Sequence, residues 1–203
     1  MIRAFIAIPL PVALQRALED IRAIAQQLPV VWRWVPPSHL HLTVKFLGDV
    51  PAESIASVVQ ALQQAVADQP PFGLMACALG CFPQPARPRV LWMGLDDPEG
   101  TLLHLFQRLE AALRERGFPP EDRPLRPHVT LARIRQAPRG GHFSTFLQTY
   151  NEHHFGELPV TALHLFQSQL RREGAVYTLL HSAALSSAPL VETGQDEEAH
   201  GQI

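Results

Sequence analysis

Two histidines, each followed two residues later by a threonine, carry the chemistry legible in this chain. The first lies in Ser38-His39-Leu40-His41-Leu42-Thr43-Val44-Lys45-Phe46-Leu47-Gly48, the second in Arg126-Pro127-His128-Val129-Thr130-Leu131-Ala132-Arg133. Both runs are apolar and of strand length. Successive side chains of a strand point to opposite faces, so His41 and Thr43 share one face while Leu40, Leu42 and Val44 turn toward the core. His128 and Thr130 repeat the arrangement, with Val129 and Leu131 inward. Imidazoles exchange protons near neutral pH, and hydroxyls donate and accept hydrogen bonds. Two strands that each offer this pair to one cleft supply two proton-transfer groups and two donors for phosphate oxygens, which suffices for hydrolysis without a metal. A single such triplet decides little in a chain with ten histidines. Two at matched positions, each in an apolar strand where an unpaired imidazole is costly to bury, point to catalysis.

Other chemistries find less support. His39 shares a face with His41 and invites a metal, but catalytic zinc sites take three protein ligands, and no H-E-x-x-H or carboxylate-spaced pattern accompanies this pair. No metal and no cofactor are therefore expected. Cys77 and Cys81 are the only cysteines, and one C-x-x-x-C spacing makes neither a zinc site nor a disulfide framework, so both read as core thiols. No G-x-S-x-G elbow is present to support a serine nucleophile. The histidines at 104, 142, 153, 154, 164 and 181 lack a partner motif and take solvated or packing roles.

The elements that position the triplets recur. His128 lies 87 residues after His41, and the same offset carries Phe5 onto Trp92. Arg3 to Ile8 reads as a buried strand, and Pro11 opens a helix with Leu14, Leu18, Ile21, Ala25 and Leu28 on one face. Val30 to Val35 is a short extended segment. A second helix follows Pro51, and a strand built on Phe72, Leu74, Ala76 and Ala78 runs into Cys81-Phe82-Pro83. The other half repeats the order with a strand from Val90 to Leu95, a helix over Leu102 to Leu113 and a Pro-rich approach to the second triplet. A short helix near Phe143 to Tyr150 and strands at Val160 to Phe166 and Val176 to Leu180 follow. The repeat predicts two lobes with both triplets facing a shared groove.

Composition sets outer bounds. A chain of 203 residues, 46% hydrophobic and 18% charged, buries a core without staples. Its formal charge of −2 lacks the excess of a protein that grips nucleic acid along the backbone, so any nucleic-acid substrate would be met locally, at a terminus rather than along a duplex. Seven arginines between Arg114 and Arg139 face only Glu115, Glu121 and Asp122, and concentrate positive charge around the second triplet. No apolar run approaches 18 residues, and Pro9, Pro11 and the charges at Arg16, Glu19, Asp20 and Arg22 spoil a signal-like N-terminus. A cytoplasmic, monomeric protein with no membrane span and no obligate protein partner is expected. Residues 1–185 are expected to form one two-lobed domain, and 186–203, rich in acids, a disordered tail.

At the triplets the chain resembles the two-histidine phosphoesterase superfamily, specifically the bacterial and archaeal RNA 2′,3′-cyclic phosphodiesterases, also called 2′-5′ RNA ligases. The resemblance runs from about Arg3 to Leu185 and includes Arg3-Ala4-Phe5-Ile6-Ala7-Ile8, Phe82-Pro83 and the serine–glycine–tyrosine ending from Ser168 to Tyr177. It implies an α+β fold, bilobal and pseudo-two-fold, with two antiparallel-rich sheets lining a positively charged central groove and helices outside. It also implies metal-independent opening of the 2′,3′-cyclic phosphate at RNA 3′ ends to a 2′-phosphate, with 2′-5′ ligation as the reverse. His41 would be the general acid, His128 the general base, and Thr43 and Thr130 the phosphate-binding pair. Arg133 matches a family arginine near phosphate or base. Phe46 would stack on the terminal base or, equally, pack in the core. His39 stands where the family carries a small polar residue. Two rivals stay open: a cyclic phosphodiesterase for a small nucleotide such as ADP-ribose 1″,2″-cyclic phosphate, and a non-catalytic binder of RNA ends, against which the intact triplets argue.

Overall fold

Apolar alternation and its interruptions build one large sheet. In the computed structural model, which describes residues 1–136, 141–171 and 174–186, the chain runs β1 (Ile2–Pro9), α1 (Val12–Ala25), β2 (Val31–Trp34), β3 (His41–Val50), α2 (Ile55–Val66), β4 (Phe72–Phe82) and β5 (Val90–Asp96). It continues with α3 (Thr101–Arg114), β6 (His128–Gln136), α4 (His142–Thr149), β7 (His154–Val160), β8 (Ala162–Arg171) and β9 (Gly174–Ala184). The strands lie in the order β7-β4-β5-β6-β3-β1-β8-β9, with β2 added to β6. Outward from the centre, β3, β1 and β8 of one half answer β6, β5 and β4 of the other. Between the central strands β3 and β6 the ladder narrows to a single residue pair, Leu42 with Val129. The two sheets expected of the repeat therefore join as one ladder at its narrowest point.

Helices cover the face toward which Leu42 and Val129 point. Leu14, Leu18, Ile21 and Ala25 of α1, Val58 and Leu62 of α2, and Leu102, Leu105, Leu109 and Leu113 of α3 are all buried there. Each of these Leu, Ile and Val side chains contributes roughly 1.5–3 kcal/mol on burial. One continuous apolar cluster includes residues of both halves. The lobes thus share a core and hold their triplets in a common frame. No helix among the described residues is long and apolar enough to cross a membrane.

Several elements depart from the periodicity of the sequence. Strand β7 escapes it because Gly156 and Pro159 interrupt the pattern. Proline is tolerated there because β7 is the last strand on its side of the sheet and needs no outer partner. In β4 the backbone turns left-handed at Ala78, with φ 53°. Burial consequently shifts from Leu74 and Ala76 to Leu79 and Cys81, and Ala78 leaves the inward set the alternation assigned to it. Strand β2 crosses to pair with β6 of the other half. β3 continues past Gly48 to Val50. The tail expected over 186–203 lies, apart from Ser186, outside the described residues.

Candidate active site

A β-bulge in the same place of each half shapes the site. On β3, Lys45 pairs with Ile6 and Thr43 with Ala7, which leaves Val44 as the extra residue. On β6, Ala132 pairs with Leu91 and Thr130 with Trp92, which leaves Leu131. Val44 and Leu131 are again 87 residues apart. An extra residue resets the side-chain alternation. Val44 and Lys45 both turn inward, as do Leu131 and Ala132, and the residue three after each threonine returns to the face of the histidine. Phe46 and Arg133 thereby line the same cavity, of about 620 Å³, as His41, Thr43, His128 and Thr130. Phe46 is 68% exposed, which removes the core reading of that residue.

Both imidazoles are held by the same device. His41 Nδ1 lies 2.7 Å from the carbonyl oxygen of His39, and His128 Nδ1 lies 2.7 Å from that of Arg126. A carbonyl only accepts, so each Nδ1 carries the proton and donates, and each Nε2 is left as the titrating atom. Continued one residue either way, the Leu42–Val129 pairing sets each histidine across from the other half's threonine. Aromatic rings pack against both imidazoles. Phe5 sits 5.0 Å from His41, and Tyr177 meets it edge-on at 5.5 Å. Phe82 meets His128 edge-on at 5.1 Å, with Trp92 at 6.3 Å. Gly80 makes room for that tryptophan, since a Cβ there would come within 2.1 Å of its ring.

Burial pushes the His41 pKa below its ordinary value of 6.5; the bond to the His39 carbonyl opposes this, and the neighbouring His39 charge adds a smaller lowering. His164 on β8 is lowered by burial too, and its Nδ1 has no partner among the described residues. The unfolded chain therefore takes up protons below pH 6.5 that the folded chain refuses. Above that pH the two groups cost no stability; as pH falls from 6.5 toward the lowered folded-state values stability is lost, and below those values the loss is complete. We expect the melting temperature to drop between pH 7.5 and 5, and to drop less in His164→Gln. Equal slopes in the two proteins would show that His164 is solvated.

One buried charge has no assignment from the sequence, where Lys45 stands out only as the lone lysine. The bulge turns it inward to 4% exposure. Its Nζ lies 2.6 Å from Glu110 Oε1 of α3, close but poorly aligned for a hydrogen bond, and donates to the carbonyl of Pro119 at 2.9 Å. Glu110 Oε2 accepts from the backbone N–H of Glu121 at 2.8 Å. The pair thus ties the back of β3 to the segment that leads into His128. Tyr177 likewise takes no site role from the sequence, because strand pairing across β8 and β9 brings it to the cavity.

A family model for LigT-like phosphoesterases matches residues 8–92 and, a second time, 95–177. The chain belongs to the LigT-like phosphoesterase family. The two matches begin 87 residues apart and hold one triplet each. This LigT-like chain is 33% identical over 190 residues to the RNA 2′,3′-cyclic phosphodiesterase of Thermus thermophilus, covering 90% of each. It is 30% identical over 181 residues to the Aquifex aeolicus enzyme of the same name, covering 89% of this chain and 95% of that one. Among solved structures it superimposes on the Thermus thermophilus protein TT0787 with a TM-score of 0.76 at 30% identity, covering 91% and 98% of the two chains. E. coli LigT in complex with 3′-AMP gives 0.73 at 29% identity, covering 92% and 99%.

Proposed function

We propose that this protein hydrolyses the 2′,3′-cyclic phosphate at RNA 3′ ends to a 2′-phosphate, with His41 as general acid and His128 as general base. The observation that carries this reading is the pair of imidazoles, each pinned at Nδ1 with Nε2 free, set by matched bulged strands on one cavity. The names borne by relatives that cover most of the chain agree with it. Neutral Nε2 of His128 takes a proton from water as its oxygen bonds to phosphorus. The P–O3′ bond breaks in line, and His41 Nε2 delivers its proton to the departing 3′ oxygen. Solvent then returns the two imidazoles to their starting states. Thr43 and Thr130 donate to the non-bridging oxygens as negative charge builds there. Arg133 offers a planar fork to phosphate or base, and exposed Phe46 a face for the terminal base.

The test is turnover of 2′,3′-cyclic nucleotides and cyclic-phosphate-ended RNA in chelator, with the position of the product phosphate determined. A 2′-phosphate product is expected. A 3′-phosphate product, or turnover that returns only with added divalent ion, would overturn the reading. Thr43→Ala and Thr130→Ala should each cost about 1–3 kcal/mol of transition-state stabilisation through lost bonds to phosphate. Should either variant keep the full rate, the two-lobed phosphate clamp is wrong.

A further inference from the structure

Beyond the cyclic phosphate, the cavity has a second wing, walled by β2 on one side and the β8–β9 hairpin on the other. Arg33 of β2 pairs directly across from Arg133 of β6, and both line the cavity. Like charges opposite each other on adjacent strands repel. Arg171, at the end of β8, lines the same wing and donates to Gln169 Oε1 at 3.2 Å. Among the described residues, none of these three guanidinium groups has a carboxylate within ion-pair distance, and no acid lines the cavity. Among the described residues, the positive charge of this wing is left without a carboxylate counter-charge.

The hairpin sets the distance. Tyr177, against His41, pairs with Ser168, and Gly174 pairs with Arg171. Three residues of strand separate the two pairs, roughly 10 Å along the hairpin. The Arg33 guanidinium reaches toward its tip, where a Cβ on Gly174 would lie 4.0 Å from Nη2. Arg33 and Arg171 thus converge on one end of the cavity, a nucleotide's reach from the histidines.

We infer that Arg33 and Arg171 form a second phosphate subsite, which holds the phosphodiester immediately 5′ of the terminal nucleotide and makes an RNA chain the preferred substrate over a mononucleotide. The location of the terminal phosphate rests on the phosphodiesterase reading above. A planar fork on each side suits a non-bridging phosphate pair, and a positive groove that tracks the backbone needs no base readout. Of the groups that a dinucleotide end adds to a mononucleotide, only the internal linkage carries a charge.

The experiment compares a 2′,3′-cyclic mononucleotide, a dinucleotide ending in 2′,3′-cyclic phosphate, and the same dinucleotide with a neutral methylphosphonate linkage. Wild type should turn over the charged dinucleotide with kcat/KM at least tenfold above the other two. Arg33→Gln/Arg171→Gln, which keeps much of each side chain's bulk, should erase that advantage and change mononucleotide turnover by less than about twofold. An equal loss on mononucleotide and dinucleotide, or no loss on either, overturns the subsite. ADP-ribose 1″,2″-cyclic phosphate serves as a fourth substrate, and a loss confined to it overturns the subsite and assigns the wing to a pyrophosphate. Binding of the 2′-phosphate-ended dinucleotide product reads the subsite independently of hydrolysis. There the double variant should weaken affinity and flatten its salt dependence, because contacts between exposed charges are screened by salt. An unchanged slope overturns the inference even if catalysis proves to be of another kind.

Discussion

Replacing His41 or His128 by alanine is expected to lower kcat by roughly 10²- to 10⁴-fold, the usual worth of a positioned acid or base. The two losses should part company when the leaving group changes. A cyclic substrate with sulfur in place of the 3′ oxygen departs as a thiolate and needs no proton. On it His41→Ala should recover most of its activity, whereas His128→Ala stays impaired because water still has to be activated. Recovery of His128→Ala alone would exchange the roles, and recovery of neither would assign both rings to phosphate binding. The pH profile gives a second check. Burial holds His41 below 6.5 in the free protein, and a general acid stops working as pH rises through its pKa. One limb of the kcat/KM bell, which reports the free enzyme and whose two limbs belong to the coupled pair, should therefore lie on the acid side of 6.5. The bound phosphate anion favours the protonated ring, so the corresponding limb of kcat should lie higher. A profile with no limb in that range would remove His41 from proton transfer.

Lys45→Met should destabilise the protein by about 3–5 kcal/mol, because it leaves Glu110 without its counter-charge at a buried position. For a chain of this size that corresponds to a fall in melting temperature of roughly 6–20 °C. The double variant Lys45→Met/Glu110→Leu should recover most of the loss, since two apolar groups replace two buried charges and leave neither charge unpaired. A loss below about 1 kcal/mol in the single variant would mean that Glu110 is solvated or protonated when alone. The same variant also frees the carbonyl of Pro119, and with it the approach to His128. Activity is accordingly expected to fall at temperatures where the variant is still folded.

The chain by itself determined the two triplets, the 87-residue repeat and the sharing of one face by each histidine with its threonine. These are local facts. A period of two over three residues survives in any strand, and a repeat is a property of the string. The helix faces of α1, α2 and α3 were legible for the same reason, because their apolar spacing lies within one element. What the tertiary structure decided begins one residue later. The bulges at Val44 and Leu131 arise from the register imposed by β1 and β5, and they bring Phe46 and Arg133 to the cavity while they bury Lys45. No pattern within β3 or β6 announces where a partner strand will slip. The carbonyls that fix the histidine tautomers are backbone groups without a side-chain signature. The crossing of β2 to β6, which carries Arg33 opposite Arg133, joins segments about 100 residues apart. Burial of His41, and hence the direction of its pKa, depends on Phe5 and Tyr177 from the opposite ends of the chain, so it exists only once the sheet has closed around it.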